Sequence, residues 1–374
     1  MLTCVALTMI LLQSDQPYHV SGERINRNNP RPIRMAMTPD PKSVLIIAKD
    51  NELRWVNPYI KSSPPTKTAK LTEYPTFDFS GKEAAKVENA RALTEAMFGT
   101  SDPHPLQGIV SMFVKGDKQF CLTNRLNQFF FYSTETGELV KKVFLKIPFK
   151  DYHPFITEFS PDMKMVMVGN TDKEVEWIFS LETGQKVSEV PCSFMDTVGF
   201  MPDNKRVARV SKNKLSIYDI ASKKPIGEAI TLPGKSAGSL VINPDGKSIA
   251  FSTYGATGDR AGNFILDLAT KQTTKIEPKL DKFPVSWVSQ DGTLLMLHEP
   301  KWIHFVDAHS GKHLLTYATS FPDVWDRIWD GCVQLSADNS RLLVMPDPAL
   351  AETNYAIFVD LKQPKGKPVT KVGP

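Results

Sequence analysis

Apolar runs alternate with short polar turns along the chain, and the alternation is periodic. One aspartate lies in a turn of each period, and the seven are Asp40, Asp117, Asp162, Asp203, Asp245, Asp291 and Asp338. Successive aspartates lie 77, 45, 41, 42, 46 and 47 residues apart. A period in the forties with four short strand signals is typical of one blade of a β-propeller. The pattern therefore predicts an all-β chain.

A second marker recurs 16 to 22 residues after each turn aspartate. It consists of two apolar residues followed by a small or acidic residue, and the seven copies end at Asn57, Ser133, Ser180, Asp219, Asp267, Asp307 and Asp360. Two markers in one register predict a seven-bladed β-propeller of four-stranded antiparallel blades, over residues 21–374. The longest gap contains an Ala-, Glu-, Lys- and Leu-rich segment at about 82–98, which predicts one short helical insertion.

The fifth period illustrates how one blade is expected to form. Leu240–Ile242 is the predicted inner strand, and Ser248–Ser252 returns after a tight Asn-Pro-Asp-Gly turn. Asn263–Asp267 is the third strand, and the polar Thr273–Ile276 is the fourth. The decreasing apolar content from first to fourth strand fits a blade that runs from a buried axis to solvent.

The turn aspartates and closures such as Tyr218-Asp219 resemble those of the bacterial WD-repeat and YVTN-type seven-bladed propeller superfamily, over about residues 30–374. The resemblance implies the propeller fold. No closure is Trp-Asp and no Gly-His pair opens a period, so the buried polar network of strict WD repeats is not expected. The Trp-Asp pairs at Trp325 and Trp329 precede an inner strand instead of ending a third strand.

The charge and the cysteine content of the chain argue against some classes of function. The net charge of +4 is spread along the chain, and nucleic-acid binding requires a concentrated basic face, so no nucleic-acid partner is expected. If Cys4 is removed with a leader, three cysteines remain, which cannot form a complete disulfide framework, and no pair of cysteines has metal-ligand spacing. We expect no cofactor and no metal.

The N-terminal segment, residues 1–20, is open to three interpretations. Its apolar run, Leu2–Leu12, is too short to span a membrane as a helix. It is a degenerate export signal, the product of a wrongly assigned start codon, or a strand that closes the ring. We favour the signal-like interpretation, and with it an exported or periplasmic location over a cytoplasmic one.

Two motifs invite a chemical interpretation. Gly234–Gly238 matches the G-x-S-x-G nucleophile elbow, but that motif needs a preceding strand and a following helix, so we interpret it as an inter-blade loop. His298, His304, His309 and His313 lie within 16 residues. His304 belongs to a third strand, whereas His309 and His313 flank a turn at its other end. Sharing an ion would require them to fold back, and we predict solvated side chains instead.

The long connections give the main functional hypothesis. In a propeller, second-to-third-strand and blade-to-blade connections share one face, and all the length variation of this chain falls there. Trp325, Arg327 and Trp329 are residue types enriched in interface hot spots, with Tyr254 and Arg260 at the rim. They predict a non-enzymatic scaffold for protein–protein interaction, monomeric because ring closure removes sheet edges. Inward packing of one or both tryptophans is the alternative at this loop.

A propeller-type enzyme is the alternative function. A lactonase-like hydrolase or a quinoprotein-like oxidoreductase would need converging carboxylates or a metal at the central channel. The residues that line the channel decide between the two hypotheses.

Overall fold

A computed structural model describes most of the strand-forming chain. The described residues are 18–19, 32–40, 43–48, 52–57, 64–73, 109–115, 118–124, 128–147, 155–170, 174–193, 196–255, 260–277, 285–289, 291–299, 302–318, 333–336, 341–344 and 357–360. Within these ranges all regular structure is β, which confirms the predicted fold class at that level. The predicted helical insertion and the apolar run Leu2–Leu12 lie outside them.

The strands form seven open sheets among these residues, numbered here in chain order. Sheet 1 is β2 (Pro32–Met37), β3 (Val44–Ala48), β4 (Glu52–Val56) and β5 (Lys67–Lys70), and sheet 2 is β6 (Ile109–Lys115), β7 (Gln119–Asn124), β8 (Gln128–Ser133) and β9 (Leu139–Phe144). Sheet 3 is β10 (Phe155–Phe159), β11 (Met165–Asn170), β12 (Val175–Ser180) and β13 (Lys186–Pro191). Sheet 4 is β14 (Thr197–Phe200), β15 (Arg206–Ser211), β16 (Lys214–Asp219) and β17 (Ile230–Thr231).

Sheet 5 is β18 (Ser236–Ile242), β19 (Ser248–Tyr254), β20 (Arg260–Asp267) and β21 (Thr273–Lys275). Sheet 6 is β22 (Val285–Val288), β23 (Leu294–Glu299), β24 (Trp302–Asp307) and β25 (His313–Ala318), with β1 (Tyr18–His19) as a fifth strand. Sheet 7 is β26 (Val333–Leu335), β27 (Arg341–Val344) and β28 (Ile357–Asp360). Chain neighbours pair antiparallel, whereas β1 pairs parallel with β25 through Tyr18 opposite Tyr317 and His19 opposite Ala318.

Burial in sheet 5 departs from the predicted gradient at its first strand, because β18 is half-buried apart from Ala237 and β19 is more buried than β18. In β19, residues 248–253 are all buried, whereas all three residues of β21 are exposed. The strands are longer than expected: β18 begins at Ser236, and β20 begins at Arg260. Pairing extends because a register shift between Ala237 and Leu240 lets β18 continue along β19 to Tyr254.

Successive sheets pack on one another through apolar side chains. Phe131 of sheet 2 lies in one cluster with Trp177 and Phe179 of sheet 3. Ile178, on the other face of the same strand, clusters with Phe200 of sheet 4. Equivalent clusters join sheets 1 and 2, 4 and 5, and 5 and 6. Full burial of one such side chain contributes about 1.5–3 kcal/mol, so these interfaces form the core.

The second sequence marker has a structural cause. The side chain that ends the third strand accepts backbone N–H groups two and three residues onward, at Ser133, Ser180, Asp267 and Asp307. The N–H donated by Thr270 lowers the pKa of Asp267 below its usual value. The following residue then donates its own N–H to the first turn of the sheet, as Leu268 does to the carbonyl of Lys247. A small or acidic residue is needed because it supplies a short acceptor.

A substitution of Gly184 tests how closely sheet 3 packs against sheet 2. Its φ is +69°, and a Cβ there would lie 2.1 Å from the carbonyl oxygen of Phe144. Gly227 has an equal φ of +68° and no atom within 4 Å of the same position. We expect Gly227→Ala to lower the free energy of unfolding by about 1 kcal/mol for the left-handed backbone alone, and Gly184→Ala to lower it by about 2 kcal/mol more because a backbone atom must shift. Urea denaturation measures both, and equal losses would contradict this sheet contact.

Candidate functional site

The described part of the predicted binding face lies at one end of sheet 5. Tyr254 ends β19 and Arg260 begins β20, and the two residues are paired in the strand register. The predicted site is therefore anchored on two adjacent strands, with their connection between them. Trp325, Arg327 and Trp329 lie outside the described residues, so their assignment to this face stays a prediction.

The Tyr254 ring lies directly against Gly238 of the inner strand β18. A Cβ on Gly238 would be 2.4 Å from Cε2 of the ring and 3.0 Å from its hydroxyl oxygen. Only a glycine leaves room for the ring at this distance. Tyr254 as a whole residue is half-buried. Gly238 was assigned to an inter-blade loop from the sequence, but it belongs to a strand that supports an aromatic side chain.

A chain of hydrogen bonds lies next to this contact. Ser239 Oγ donates to Ser252 Oγ at 3.0 Å, and Ser252 Oγ donates to Asn263 Oδ1 at 2.7 Å. The backbone N–H of Val285, in sheet 6, donates to Ser252 Oγ at 3.1 Å. Ser252 and Asn263 are fully buried. Since each shared hydroxyl fixes two strands, the network holds β18, β19 and β20 against the next sheet.

Sheet 4 holds the same end of β18 from the other side. Thr197 Oγ1 donates to the carbonyl of Gly238 at 2.8 Å, and the N–H of Ala237 donates to the carbonyl of Lys212 at 2.7 Å. The N–H of Lys235 donates to the carbonyl of Tyr254 at 3.0 Å. The backbone around the tyrosine is therefore fixed by contacts to both neighbouring sheets.

An ion pair lies beside Thr197, where β14 begins. Arg209 Nη2 and Nε donate to Asp196 Oδ2 at 2.6 and 2.9 Å, and the N–H of Ser193 donates to the same oxygen at 2.9 Å. Arg209 also donates to the hydroxyl of Tyr218 at 3.3 Å. The Asp196 side chain is 2% exposed. Burial alone would raise the pKa of Asp196, but the donors from Ser193 and Arg209 outweigh it, and the pKa lies below its usual value.

Among the described residues of the first strands of the seven sheets, β10 carries one carboxylate, on Glu158. Its Oε2 accepts the N–H of Phe200 at 2.7 Å. A Cβ on the adjacent Gly199 would lie 3.3 Å from that oxygen and 2.9 Å from Cδ1 of Ile242. This carboxylate therefore joins inner strands of sheets 3 and 4, close to β18 of sheet 5.

The histidines are arranged differently from the sequence prediction. His304 Nδ1 and His313 Nε2 lie 2.9 and 2.8 Å from one hydroxyl oxygen, that of Thr316, and the ring centroids are 5.8 Å apart. The predicted separation of His304 and His313 was wrong, because β24 and β25 are adjacent antiparallel strands. His304 is also buried, with 8% exposure. In the described part of the chain, no group of three or more His, Cys, Asp or Glu is arranged to hold a metal ion.

The sequence predicted Tyr254 and Arg260 as binding residues, which stays a prediction, and it did not indicate the groups that position the Tyr254 ring. Thr197 begins β14, Ser252 precedes Thr253 in β19, and Asn263 lies before the apolar end of β20, and the three match no motif. Their partners lie in other strands or sheets. The available signal was small polar residues within predicted strands, which indicates buried hydrogen bonds.

Comparison with known proteins yields no family model that matches the chain and no curated protein that matches it. Among the residues that the structure covers, no helix has the length and apolar character needed to cross a membrane.

The Asp196–Arg209 pair predicts a pH dependence of stability. The pKa of Asp196 is lower in the folded chain than its usual value, so the unfolded chain binds the proton first as pH falls. The stabilisation that the ion pair provides is fully present above the pKa of Asp196 in the unfolded chain, about 3.9. It is lost as pH falls through the lower pKa of Asp196 in the folded chain. We expect Asp196→Asn to lower the free energy of unfolding by about 2 kcal/mol at neutral pH, a typical value for hydrogen bonds to charged groups, and by progressively less as pH falls below the usual pKa of an aspartate, about 3.9.

Asp203 provides the matched control, because its ion pair with Arg206 is solvent-exposed, at 34% and 39%. We expect Asp203→Asn to cost at most about 1 kcal/mol at neutral pH. Denaturation of the three proteins at several pH values measures the difference. Parallel curves for the wild type and Asp196→Asn would show that this pair does not stabilise the fold.

Proposed function

We propose that this chain is a seven-bladed β-propeller that acts as a non-enzymatic platform for a protein partner. The partner binds the face of the long connections, through Tyr254 and Arg260 together with Trp325, Arg327 and Trp329. The proposed fold relates the chain to the bacterial WD-repeat and YVTN-type propellers, and each sheet described above is one blade.

Contacts between the last and first sheets support ring closure. Arg341, which begins β27, donates to the carbonyls of Asp40 at 3.3 Å and Thr38 at 3.5 Å, immediately after β2. These residues are 301 and 303 positions apart in the chain. A ring requires the ends of the array to meet, and the five apolar interfaces described above supply most of the other junctions.

The Tyr254–Gly238 contact is the observation that carries the binding proposal. The aromatic ring of a half-buried residue, held on a fixed backbone, offers contact area at low entropic cost, which is how tyrosine serves in binding sites. The polar groups beside it, on Ser239, Ser252 and Asn263, are engaged with one another. Their arrangement fixes the surface and supplies no nucleophile–base pair. No specific observation among the described residues favours the enzyme alternative.

Affinity capture from the native host tests the platform. We expect the wild type to enrich a partner that Tyr254→Ala and the double variant Trp325→Ala/Trp329→Ala each retain at least about thirtyfold less well, which corresponds to the loss of about 2 kcal/mol that marks hot-spot residues. Val187→Ala is the control, since Val187 is an exposed apolar residue, at 47%, on the outer strand β13. Circular dichroism verifies folding, and equal enrichment by all four folded proteins would refute this binding face.

Gly238→Ala tests whether partner capture depends on the position of the Tyr254 ring as well as on the presence of that ring. The added methyl group must displace the Tyr254 ring, whose Cε2 would be 2.4 Å away, while the tyrosine itself stays in the chain. We expect Gly238→Ala to weaken partner capture as Tyr254→Ala does, and Tyr254→Phe to retain capture because the ring is kept. Full binding by a folded Gly238→Ala protein would show that the fixed ring position is irrelevant.

Arg341→Ala tests ring closure. The buried guanidinium loses two carbonyl partners in sheet 1, and we expect the free energy of unfolding to fall by about 2–3 kcal/mol, the value for hydrogen bonds from charged groups. Arg206 begins β15 as Arg341 begins β27, but it pairs with Asp203 in its own turn. Arg206→Ala should therefore cost no more than about 1 kcal/mol. Equal costs in urea denaturation would contradict closure through Arg341.

A further inference from the structure

The outer edges of the described sheets differ in how far they are protected from additional strands. β5 and β21 are polar, with sequences KTAK and TTK, and β17 is two residues long. The edge of β25 is covered in part by β1. Short, polar or covered edges are the usual protection against unwanted pairing.

β9 is neither short nor wholly polar, and the cover described for it is at its end, where the Phe144 carbonyl packs against Gly184 of sheet 3. It is a six-residue outer strand, LVKKVF, in which Val140 is 51% and Phe144 is 52% exposed. They are two of the four large apolar residues found exposed among the described residues. The Phe144 ring makes an edge contact with Phe130, at 6.3 Å between centroids, and about half of its surface stays in solvent. An exposed apolar edge of this length is a site for strand addition.

The two lysines of β9 give its edge little protection against pairing with an added strand. Lys141 Nζ lies 4.5 Å from the centroid of the Phe131 ring, within the sheet. Lys142 Nζ lies 2.5 Å from Glu73 Oε2. Both members of this pair are about half exposed, at 48% and 50%, so the bond is weak and an incoming carboxylate can replace Glu73.

The molecule already adds a strand at an equivalent edge. Tyr18–His19 pairs in parallel with the outer edge of β25 and makes it the fourth strand of five. An outer strand in this fold therefore has the twist and exposure that an added strand needs.

We infer that the outer edge of β9 binds an extended segment of a partner protein, with an acidic residue opposite Lys142 and apolar residues two positions away on each side. The charge of Lys142 selects this occupant over a second copy of the chain. In the symmetric antiparallel register of two copies, Lys142 would face its own equivalent, and like charges directly opposite are destabilising. This surface is separate from the loop face of the proposed function and does not depend on it.

A palindromic heptapeptide, Ser-Val-Thr-Glu-Thr-Val-Ser, presents this pattern in either strand direction. Fluorescein-labelled peptide is titrated with the full-length protein, and anisotropy is measured up to about 1 mM protein, where weak peptide binding of about −4 kcal/mol saturates halfway. We expect saturable binding, weakened at least about tenfold when Lys replaces Glu in the peptide. Slower amide hydrogen exchange in β9 upon peptide addition gives a second readout.

The double variant Val140→Thr/Phe144→Thr keeps β propensity and removes the apolar contacts. It should weaken peptide binding at least about tenfold, whereas Val187→Thr on β13 should leave it unchanged. No saturable binding by the wild type, equal binding of the lysine peptide, or equal loss in both variants would each overturn the proposal. A dimer in sedimentation that the double variant abolishes, without peptide binding, would assign the edge to self-association instead.

Discussion

Among the described sheets, sheets 2 to 5 each have two apolar faces, and each face is buried by packing against a neighbouring sheet. In β12, Trp177 and Phe179 point to sheet 2, while Ile178 between them points to sheet 4. A single sheet thus depends on both neighbours for its core. An array with this property leaves an apolar face uncovered at each end unless the ends meet, which gives the contact from Arg341 to sheet 1 its importance.

The same dependence governs the candidate binding surface. Tyr254 is positioned by Gly238, and the strand that carries Gly238 is held by Thr197 of sheet 4. Ser252, in the strand of the tyrosine, accepts an N–H from Val285 of sheet 6. Three sheets therefore determine the orientation of one ring. A change in either neighbouring interface will reach the surface through these bonds, even though it lies in the core.

The sequence predicted the strands well because their causes are local. Alternating apolar positions and turn aspartates lie within a few residues of the strands they delimit, and the third-strand closures cap their own turns, as Asp267 does. The features it missed depend on register or on distant partners. His304 and His313 share Thr316 only because of how β24 pairs with β25, and Glu158 reaches the N–H of Phe200, 42 residues away. No local pattern encodes either contact.

The cap chemistry also bears on our proposal that a partner binds one face. On the turn face, the carboxylates of Asp219, Asp267 and Asp307 accept hydrogen bonds from their own turns, so binding a partner through them would first break bonds that hold the sheet together. The connections proposed to form the opposite face vary in length in the sequence, and the Tyr254 ring proposed for that face is not a cap. The residues of that face can change without removing a hydrogen bond that every sheet needs. Specificity for a partner is most readily built on connecting loops, because their residues can change while the strands that carry them stay the same.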